Sequence, residues 1–352
     1  MAFKSAYAKK SIISKVIGVA FLILFFIFLF YLNQIQKVPL VNQKGRTFEK
    51  AKVVAVVKDN LAEDGRRYGA QLLKLQMLTG KLKGRMVEAT SDSGYLFGAA
   101  CRKGMEVVTI TSISGAINVT SVYSMNREGP IYLFIALFIV ILCLIGGKKG
   151  LKSALGLIFT FVCIIFLYLP MIYRGFSPFL AAVVVAILTI VVTMYLIGGY
   201  TMKALSAILG TICGIVIAGI FAAGFGYFAG ISGFNVSDIE SLLFVEQMTH
   251  IRIGELLFSG ILIASLGAVM DIGMTISSAI SEIGKGTPNA TKKQLFTSGM
   301  NVGRDIIGTM ATTLILAFTG TSLSMLVLNY AYDLPYLQII NSYSIGIDIM
   351  QG

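Results

Sequence analysis

Charged residues, histidine and tryptophan are scarce in this sequence. Charged residues account for 13% of its 352 residues, whereas a soluble domain carries roughly 25%. Tryptophan is absent and histidine occurs once. Three of the four cysteines lie inside apolar runs, so no disulfide framework is implied. The fourth, Cys101, is expected to pack as a small apolar residue. This composition argues against an ordinary soluble domain.

The signatures of common enzyme classes are also missing. There is no H-E-x-x-H motif, no Gly-rich loop followed by Lys and Ser or Thr, and no convincing nucleophile–base pair. The single histidine, His250, lies near Glu246 and Glu255 and with them could bind a divalent metal. An ordinary position at the membrane interface is the favoured alternative. We therefore expect no enzymatic activity, no cofactor and no bound metal.

Long apolar runs are what the sequence has instead. The first spans residues 16–32 and follows Lys4, Lys9, Lys10 and Lys15. It ends without a small-residue cleavage site, which favours an uncleaved anchor over a signal peptide. Read against a hydrocarbon core of about 30 Å, the sequence predicts about seven transmembrane helices. The other six runs are residues 131–145, 154–172, 179–197, 204–229, 253–274 and 306–328.

The distribution of basic residues predicts the orientation. The net charge is +12, and many lysines lie at the ends of apolar runs, where they act as orientation signals and contact lipid headgroups. The lysines before residue 16 place the N-terminus in the cytoplasm. The lysines after the second, fourth and sixth runs then fall on the cytoplasmic side as well. The expected location is the cell membrane, with lipids and not nucleic acid as partners.

Between the first two apolar runs the sequence changes character. Residues 33–129 are rich in charge and contain five short β-like segments, at 51–57, 71–77, 85–90, 105–111 and 116–123. These predict a small β-barrel or β-sandwich, and an oligonucleotide-binding-type barrel is one option. The predicted fold is a membrane all-α bundle with an inserted extracytoplasmic β domain. Its parts are residues 1–32 (cytoplasmic tip and anchor helix), 33–129 (β domain) and 130–352 (multispanning domain).

Polar residues inside the last two runs are the candidate functional residues, because an ionised group at the bilayer centre costs about 2.5–3.5 kcal/mol. Helical spacing places each set on one face. Asp271 is expected near the inner end of the sixth run. The candidates are Asp271, Thr275 and Glu282 from the sixth run, and Asn301, Arg304, Asp305, Thr309 and Thr312 from the seventh. Arg304 could pair with Asp271 or Asp305 to hold the helices together, or the polar groups could line a path for an ion, proton or small solute, and these two interpretations are compatible. In a third alternative, Arg304 lies among the lipid headgroups and has little effect. Glu255, at the outer end of the sixth run, and His250 are weaker candidates.

Two glycine-rich segments carry further expectations. The fifth run contains Gly210 and Gly214 four residues apart, which favours close helix packing over a discontinuous helix at a pathway. The segment 281–298 contains Gly284, Gly286 and Pro288. Its first half is predicted not to be a continuous helix, and its second half could lie on the membrane surface. An ordinary connecting loop is the favoured alternative.

The polar region carries a recognisable signature. GAVMDIGMTISSA from Gly267, TPN from Thr287 and SGMNVGRDIIGTM from Ser298 resemble the YibE/F family of multispanning bacterial membrane proteins. The resemblance covers roughly residues 130–350 and implies no established activity. It implies a further apolar helix after residue 342, so either the chain is truncated or a partner completes the bundle. Since members often occur as two related chains, it also implies a homo-oligomer or a hetero-oligomer with a related chain.

Two functions remain after these exclusions. The favoured one is a transporter or permease component for an unidentified ion or small solute, with its polar site between the sixth and seventh helices. The alternative is a non-transporting complex subunit or receptor scaffold that acts through its extracytoplasmic β domain.

Overall fold

A computed structural model of the chain describes residues 20–40, 45–63, 66–92, 98–114, 117–235, 239–345 and 347. It divides into a unit formed by residues 39–141 and a unit formed by the rest of the described chain. The first unit contains five strands: β1 (Arg46–Lys58), β2 (Ala70–Met77), β3 (Met86–Asp92), β4 (Glu106–Ser114) and β5 (Ile117–Met125).

The helices are α1 (described over Ala20–Leu32), α2 (Glu128–Cys163), α3 (Leu169–Tyr173), α4 (Pro178–Gly198), α5 (Met202–Ala229), α6 (Ile239–Met248), α7 (Leu256–Gly286), α8 (Lys292–Thr321), α9 (Leu323–Ala331) and α10 (Tyr336–Ile340). A π-helical turn, Ile164–Tyr168, joins α2 to α3, and a 3₁₀ turn, Ile253–Glu255, precedes α7.

The five strands close into a barrel in the order β1-β2-β3-β5-β4, with β1 pairing antiparallel to β4 and β3 parallel to β5. The barrel prediction is thereby confirmed, and the sandwich alternative is wrong. The alternation of apolar and polar side chains in β2 explains why the barrel forms. Leu73, Leu75 and Met77 are buried in the barrel core, while Lys74 faces outward. Side chains that alternate in this way give a strand one apolar face and one wet face.

A buried amide ties β2 to the segment before β4. The Gln71 side chain accepts a hydrogen bond from the Cys101 backbone N–H (2.7 Å) and donates to Asp59 (2.8 Å), which also accepts from Arg67 (2.7 Å). The bonds from Gln71 and Arg67 lower the pKa of Asp59. The hydrogen bonds to ionised Asp59 stabilise the fold at pH values above the unfolded-state pKa of about 3.9. This stabilisation is lost as the pH falls through the lower folded-state pKa. Cys101 is buried as a free thiol, as expected.

Five helices among the described residues are long and apolar enough to cross a membrane: Glu128–Tyr173, Pro178–Gly198, Met202–Ala229, Ile253–Gly286 and Lys292–Thr321, with Ala20–Leu32 as a shorter apolar helix. Large apolar side chains cover their outer surfaces; Phe134, Leu144 and Phe228 are more than 70% exposed. Water-soluble monomers do not carry apolar surface on this scale, so the helical part is consistent with a membrane protein.

The first of these helical stretches is interrupted at Gly147, whose φ of 53° and ψ of −132° are not helical. A Cβ atom at Gly150 would lie 2.1 Å from the carbonyl oxygen of Leu142. An unbroken helix would separate these residues by about 12 Å along its axis, so the chain turns sharply here. The two apolar runs predicted at 131–145 and 154–172 lie on either side of this turn.

The helical core forms where α4, α5 and α7 pack together. Small residues make the contacts close: a Cβ at Gly273 would lie 2.5 Å from Thr211 Oγ1, and one at Gly214 would lie 2.6 Å from Val269 Cγ1. Apolar residues of α4, including Ala182 and Val185, fill the same core. The expectation of close packing for the glycine-rich fifth run is met at Gly214.

Helix α1 packs on the segment from α2 to α3. Its buried Phe25 contacts the Phe159 ring (5.4 Å between centroids), and Asn33 Nδ2 donates a hydrogen bond to the Phe166 carbonyl (2.8 Å). At the end of this segment, Arg174 donates to the carbonyl of Tyr31 (3.0 Å). The predicted anchor helix is therefore part of the helical unit.

The structure corrects the prediction for the segment 281–298. Helix α7 continues through Gly284 to Gly286, and α8 already begins at Lys292, after a capping box made by Thr291 and Gln294. Glycine costs helix stability only about 1 kcal/mol relative to alanine, and tertiary packing outweighs that cost here. The connection is thus a short turn around Pro288. Near the C-terminus, helix α10 is five residues long, which is too short to span a membrane.

Replacing Leu73 by alanine tests the barrel core. Leu73 has no exposed surface, so Leu73→Ala should destabilise the barrel by about 2–5 kcal/mol through lost burial and a cavity. Hydrogen exchange of β2 peptides in the full-length protein measures the loss of protection. Leu61→Ala, at a side chain that is 53% exposed, is the matched control and should change protection little; equal effects of the two variants would contradict this core assignment.

Candidate functional site

Helices α7 and α8 pack against each other through glycine and isoleucine. A Cβ at Gly299 would lie 2.6 Å from Ile280 Cδ1, and one at Gly303 would lie 3.3 Å from Ile276 Cδ1. Gly299 and Gly303 are buried. The contact that joins the two helices is therefore apolar, and it runs through residues on other faces than the predicted polar ones.

The predicted site residues lie on the exposed surface of these helices. Exposed side chains are Asp271, Thr275 and Glu282 of α7, and Asn301, Arg304, Asp305, Thr309 and Thr312 of α8. In the described residues Arg304 forms no ion pair within 4 Å, so the predicted bond to Asp271 or Asp305 is not made within this chain. Glu282 instead pairs with Lys285 on its own helix (2.8 Å).

Asp271 and Thr275 of α7 nevertheless lie at the level of Arg304 to Thr309 of α8 along the helix pair. Because Gly303 lies against Ile276 and Gly299 against Ile280, α7 and α8 run antiparallel, and Asp271 is level with Gly308. Arg304 is then one helical turn away, about 6 Å along the axis. Asp271 also lies at the midpoint of α7, because the helix continues past Met274, where the apolar run ends.

The threonines of α8 are bonded within their own helix. The hydroxyls of Thr309 and Thr312 donate to the carbonyls of Ile306 and Gly308, each at 2.9 Å. Such bonds satisfy the hydroxyl hydrogen and leave the oxygen lone pairs on the exposed surface. The α8 surface thus presents oxygen acceptors next to a cation and a carboxylate.

A second polar cluster surrounds Glu255, one of the two weaker candidates; the partners of its carboxylate were not predicted from the sequence. The Glu255 carboxylate accepts hydrogen bonds from the Ser177 hydroxyl and from the Phe179 backbone N–H (3.4 Å), at the first turn of α4. One turn along α7, the Ser259 hydroxyl is 2.6 Å from the Tyr168 hydroxyl, and both residues are buried. A carboxylate at a helix N-terminus is stabilised by the free N–H groups and the helix dipole.

The local sequence explains part of this cluster. Ser177 followed by Pro178 is a helix-start signal, and it could have pointed to α4 as the partner of Glu255. Tyr168 gave no such signal, because it is one aromatic residue in an apolar run. It ends the π-helical turn Ile164–Tyr168, a distortion often found at functional sites. His250 packs beside Gly175; its Cβ is 3.3 Å from where a Cβ of Gly175 would be.

Neither cluster has the composition of a metal site. Across the described ranges, no group of three or more His, Cys, Asp and Glu side chains is close enough together to hold a metal ion. The polar groups exposed on α7 and α8 are charges and hydroxyls, which can hydrate or bind an ion or a small polar solute. The polar group at Glu255 is a carboxylate that already accepts hydrogen bonds from two donors.

Comparison with known proteins gives one match. A family model described as YibE/F-like protein matches residues 134–352, which is more than half of the chain. No curated protein and no solved structure matches. The matched region contains α4 to α10 and both polar clusters.

Removing the Glu255 carboxylate tests whether this cluster holds α4 to α7. Glu255→Ala leaves the Ser177 hydroxyl and the Phe179 N–H without their acceptor, and we expect a loss of about 1–3 kcal/mol. Thermal unfolding of the purified protein in detergent measures it. Glu240→Ala, at an exposed carboxylate of α6, is the control. A melting temperature that is unchanged in Glu255→Ala would show that the bonds contribute nothing net.

Proposed function

The chain belongs to the YibE/F-like protein family, and on this premise we propose that it is a component of a membrane transporter or permease for an ion or small solute. The proposed path runs along the polar surface of α7 and α8. In this proposal the chain is a multi-pass protein of the cell membrane, with its N-terminus in the cytoplasm and residues 33–129 outside.

One observation carries the proposal: Asp271, Arg304 and Asp305 are exposed near the middle of long apolar helices and have no ion-pair partner within the described chain. Each ionised group in hydrocarbon costs about 2.5–3.5 kcal/mol on insertion scales. Three such groups facing lipid would be a large penalty. Water or another polar surface must therefore cover them in the membrane, and both are properties of a transport path.

Structural pairing alone does not account for these residues. If Arg304 served only to hold α7 to α8, it would contact Asp271 or Asp305, and the carboxylates would be sealed in a dry pair. Instead Ile276 and Ile280 make the helix contact with Gly299 and Gly303. The polar groups therefore remain available to a solute or to another chain.

The second wall of the path has to come from elsewhere. Helix α8 packs on α7 and continues into α9, and no other described helix packs extensively on it. We infer that a second chain faces α8, either another copy of this protein or a related family member. In a parallel pair of copies related by a two-fold axis, Arg304 of one chain is level with Asp305 of the other, so the charges are self-complementary.

The alternative function, a non-transporting subunit, rests on the barrel surface. Phe48 of β1 and Tyr123 of β5 form an exposed edge-to-face ring pair (5.5 Å between centroids). Exposed aromatic residues are enriched at protein interfaces. Deleting residues 40–125 separates the two functions: a scaffold loses its partner, whereas a transport core keeps partial flux.

Cysteine labelling tests whether the polar surface of α8 is wet. In a variant without the four native cysteines, Thr309→Cys and Thr312→Cys should react with a membrane-impermeant maleimide in intact vesicles. Ile307→Cys, at an exposed apolar position on another face of the same helix, is the matched control and should react at least about tenfold more slowly, because the thiolate is the nucleophile and forms only where water reaches. Equal protection of all three positions would argue against a water-filled path.

Neutralising Asp271 tests the path itself. In proteoliposomes with imposed gradients of protons, Na⁺ and K⁺, Asp271→Asn should lower flux by at least about tenfold, equivalent to about 1.4 kcal/mol in the barrier. Insertion and assembly should be normal, as judged by size-exclusion profile. The control Glu240→Gln removes a carboxylate outside both clusters. If Asp271→Asn lowers only the amount of folded protein, the carboxylate is structural.

A further inference from the structure

A long groove separates parts of α5 and α7. It has a volume of about 650 Å³ and is lined by the first half of α5 and the second half of α7. Small-molecule sites occupy roughly 300–1,000 Å³. The lining residues are Met202, Lys203, Ser206, Gly210 and Gly214 of α5, and Val269, Ile272, Gly273, Ile276, Ser277, Ile280 and Ser281 of α7.

Glycine keeps this groove open. A Cβ at Gly210 would meet no atom within 4 Å, so the space beside it is empty. One turn further along α5, Gly214 packs directly on Val269, and the two helices close the groove there. The groove thus has an apolar end at Gly214 and continues from there toward the start of α5, where the Ser277 hydroxyl bonds to the Lys203 carbonyl.

Polar groups are confined to the other end, at the start of α5. The Ser277 hydroxyl donates to the Lys203 carbonyl (2.6 Å) and is 3.2 Å from the Ser206 hydroxyl. Ser281 lines the same end. The groove is therefore amphipathic, with hydroxyls and a lysine at one end and aliphatic side chains with glycine at the other.

Lysines from three separate elements lie around Glu282, the residue that follows Ser281 at the polar end of the groove. Lys203 begins α5, Lys149 follows the turn at Gly147, and Lys285 ends α7; all three act electrostatically on Glu282. Lys285 is paired with Glu282, whereas Lys203 and Lys149 have no carboxylate within 4 Å in the described chain. The excess of positive charge matches an anion.

We propose that this groove binds one anionic phospholipid, with its phosphate beside Lys203 and Lys149 and an acyl chain along Gly210 toward Gly214. The distance from Lys203 to Gly214 is eleven residues of helix, or about 16 Å. This is close to half of a hydrocarbon core of about 30 Å, the depth of one leaflet. A lipid bound here would lie parallel to its neighbours in the bilayer.

A lipid fits the groove better than a soluble phosphate compound. A free phosphate would use only the lysine end and would leave the aliphatic remainder of the groove empty. Lipid binding here is separate from the proposed transport path, because Asp271, Arg304 and Asp305 do not line the groove.

Native mass spectrometry of the purified full-length chain in detergent tests the proposal, with palmitoyl-oleoyl phosphatidylglycerol as the anionic probe and the matching phosphatidylcholine as the neutral one. Gly210→Leu fills the groove without a clash and should lower the lipid-bound fraction by about tenfold, an estimate based on losing several buried CH₂ groups. Gly224→Leu is the matched control, since a Cβ there also meets open space on the same helix but outside the groove.

Lys203→Gln should lower the preference for phosphatidylglycerol over phosphatidylcholine by about fivefold, since one lysine near an anionic headgroup contributes about 1 kcal/mol. Lys293→Gln, at an exposed lysine of α8, should leave the preference unchanged. Melting temperatures of all four variants confirm that they are folded.

Three results would overturn the proposal. In the first, Gly210→Leu retains as much lipid as Gly224→Leu. In the second, glycerol phosphate without acyl chains displaces the lipid at equal concentration, which would make this a soluble-phosphate site. In the third, Gly210→Leu dissociates a second copy of the chain while lipid retention is unchanged, which would make the groove a helix-docking surface.

Discussion

Close packing on α7 through small residues is the constraint on which the helical unit depends. Helices α4, α5 and α8 all contact α7, and the closest approaches use Gly214, Gly273 and Gly299. Without water inside a bilayer, burial of apolar area gives little net attraction between helices, and van der Waals contact has to hold them together. Small residues permit that contact because they bring two backbones close. They also decide where the helices separate again and leave a groove.

This arrangement gives different faces of α7 different surroundings. One face packs on α5 and closes the groove at Gly214. Beside it, Ile276 and Ile280 line the same groove and also contact α8. Asp271 and Thr275 lie on neither of these contacts and remain exposed. These two polar groups are thus displayed at the helix surface, where a solute or a second chain can reach them, whereas Ser259 and Ser277 of the same helix bond to other parts of the chain.

The polar groups around Glu255 differ from those at Asp271 and Arg304 because they have hydrogen-bond partners within the chain. There the carboxylate is satisfied by a hydroxyl and a backbone N–H at the start of α4, and the nearby hydroxyls of Tyr168 and Ser259 bond to each other. A polar network in a low-dielectric interior is stabilising when its members are satisfied. The contrast between satisfied groups at Glu255 and exposed ones at Asp271 and Arg304 is the reason for proposing a structural role for the first and a transport role for the second.

The sequence alone determined the five strands, the apolar helices and the family, because strand alternation, run length and a local signature are properties of neighbouring residues. It also identified Asp271, Arg304 and Asp305 as unusual, since their cost depends only on residue type and an apolar context. Only the tertiary structure decided which groups meet. Ser177 and Glu255 are 78 positions apart and Tyr168 and Ser259 are 91 apart, and Arg304 misses both of its expected partners. Periodicity reports which face of a helix is distinct, but the choice of partner depends on how glycine and isoleucine side chains set the distance and rotation between two helices.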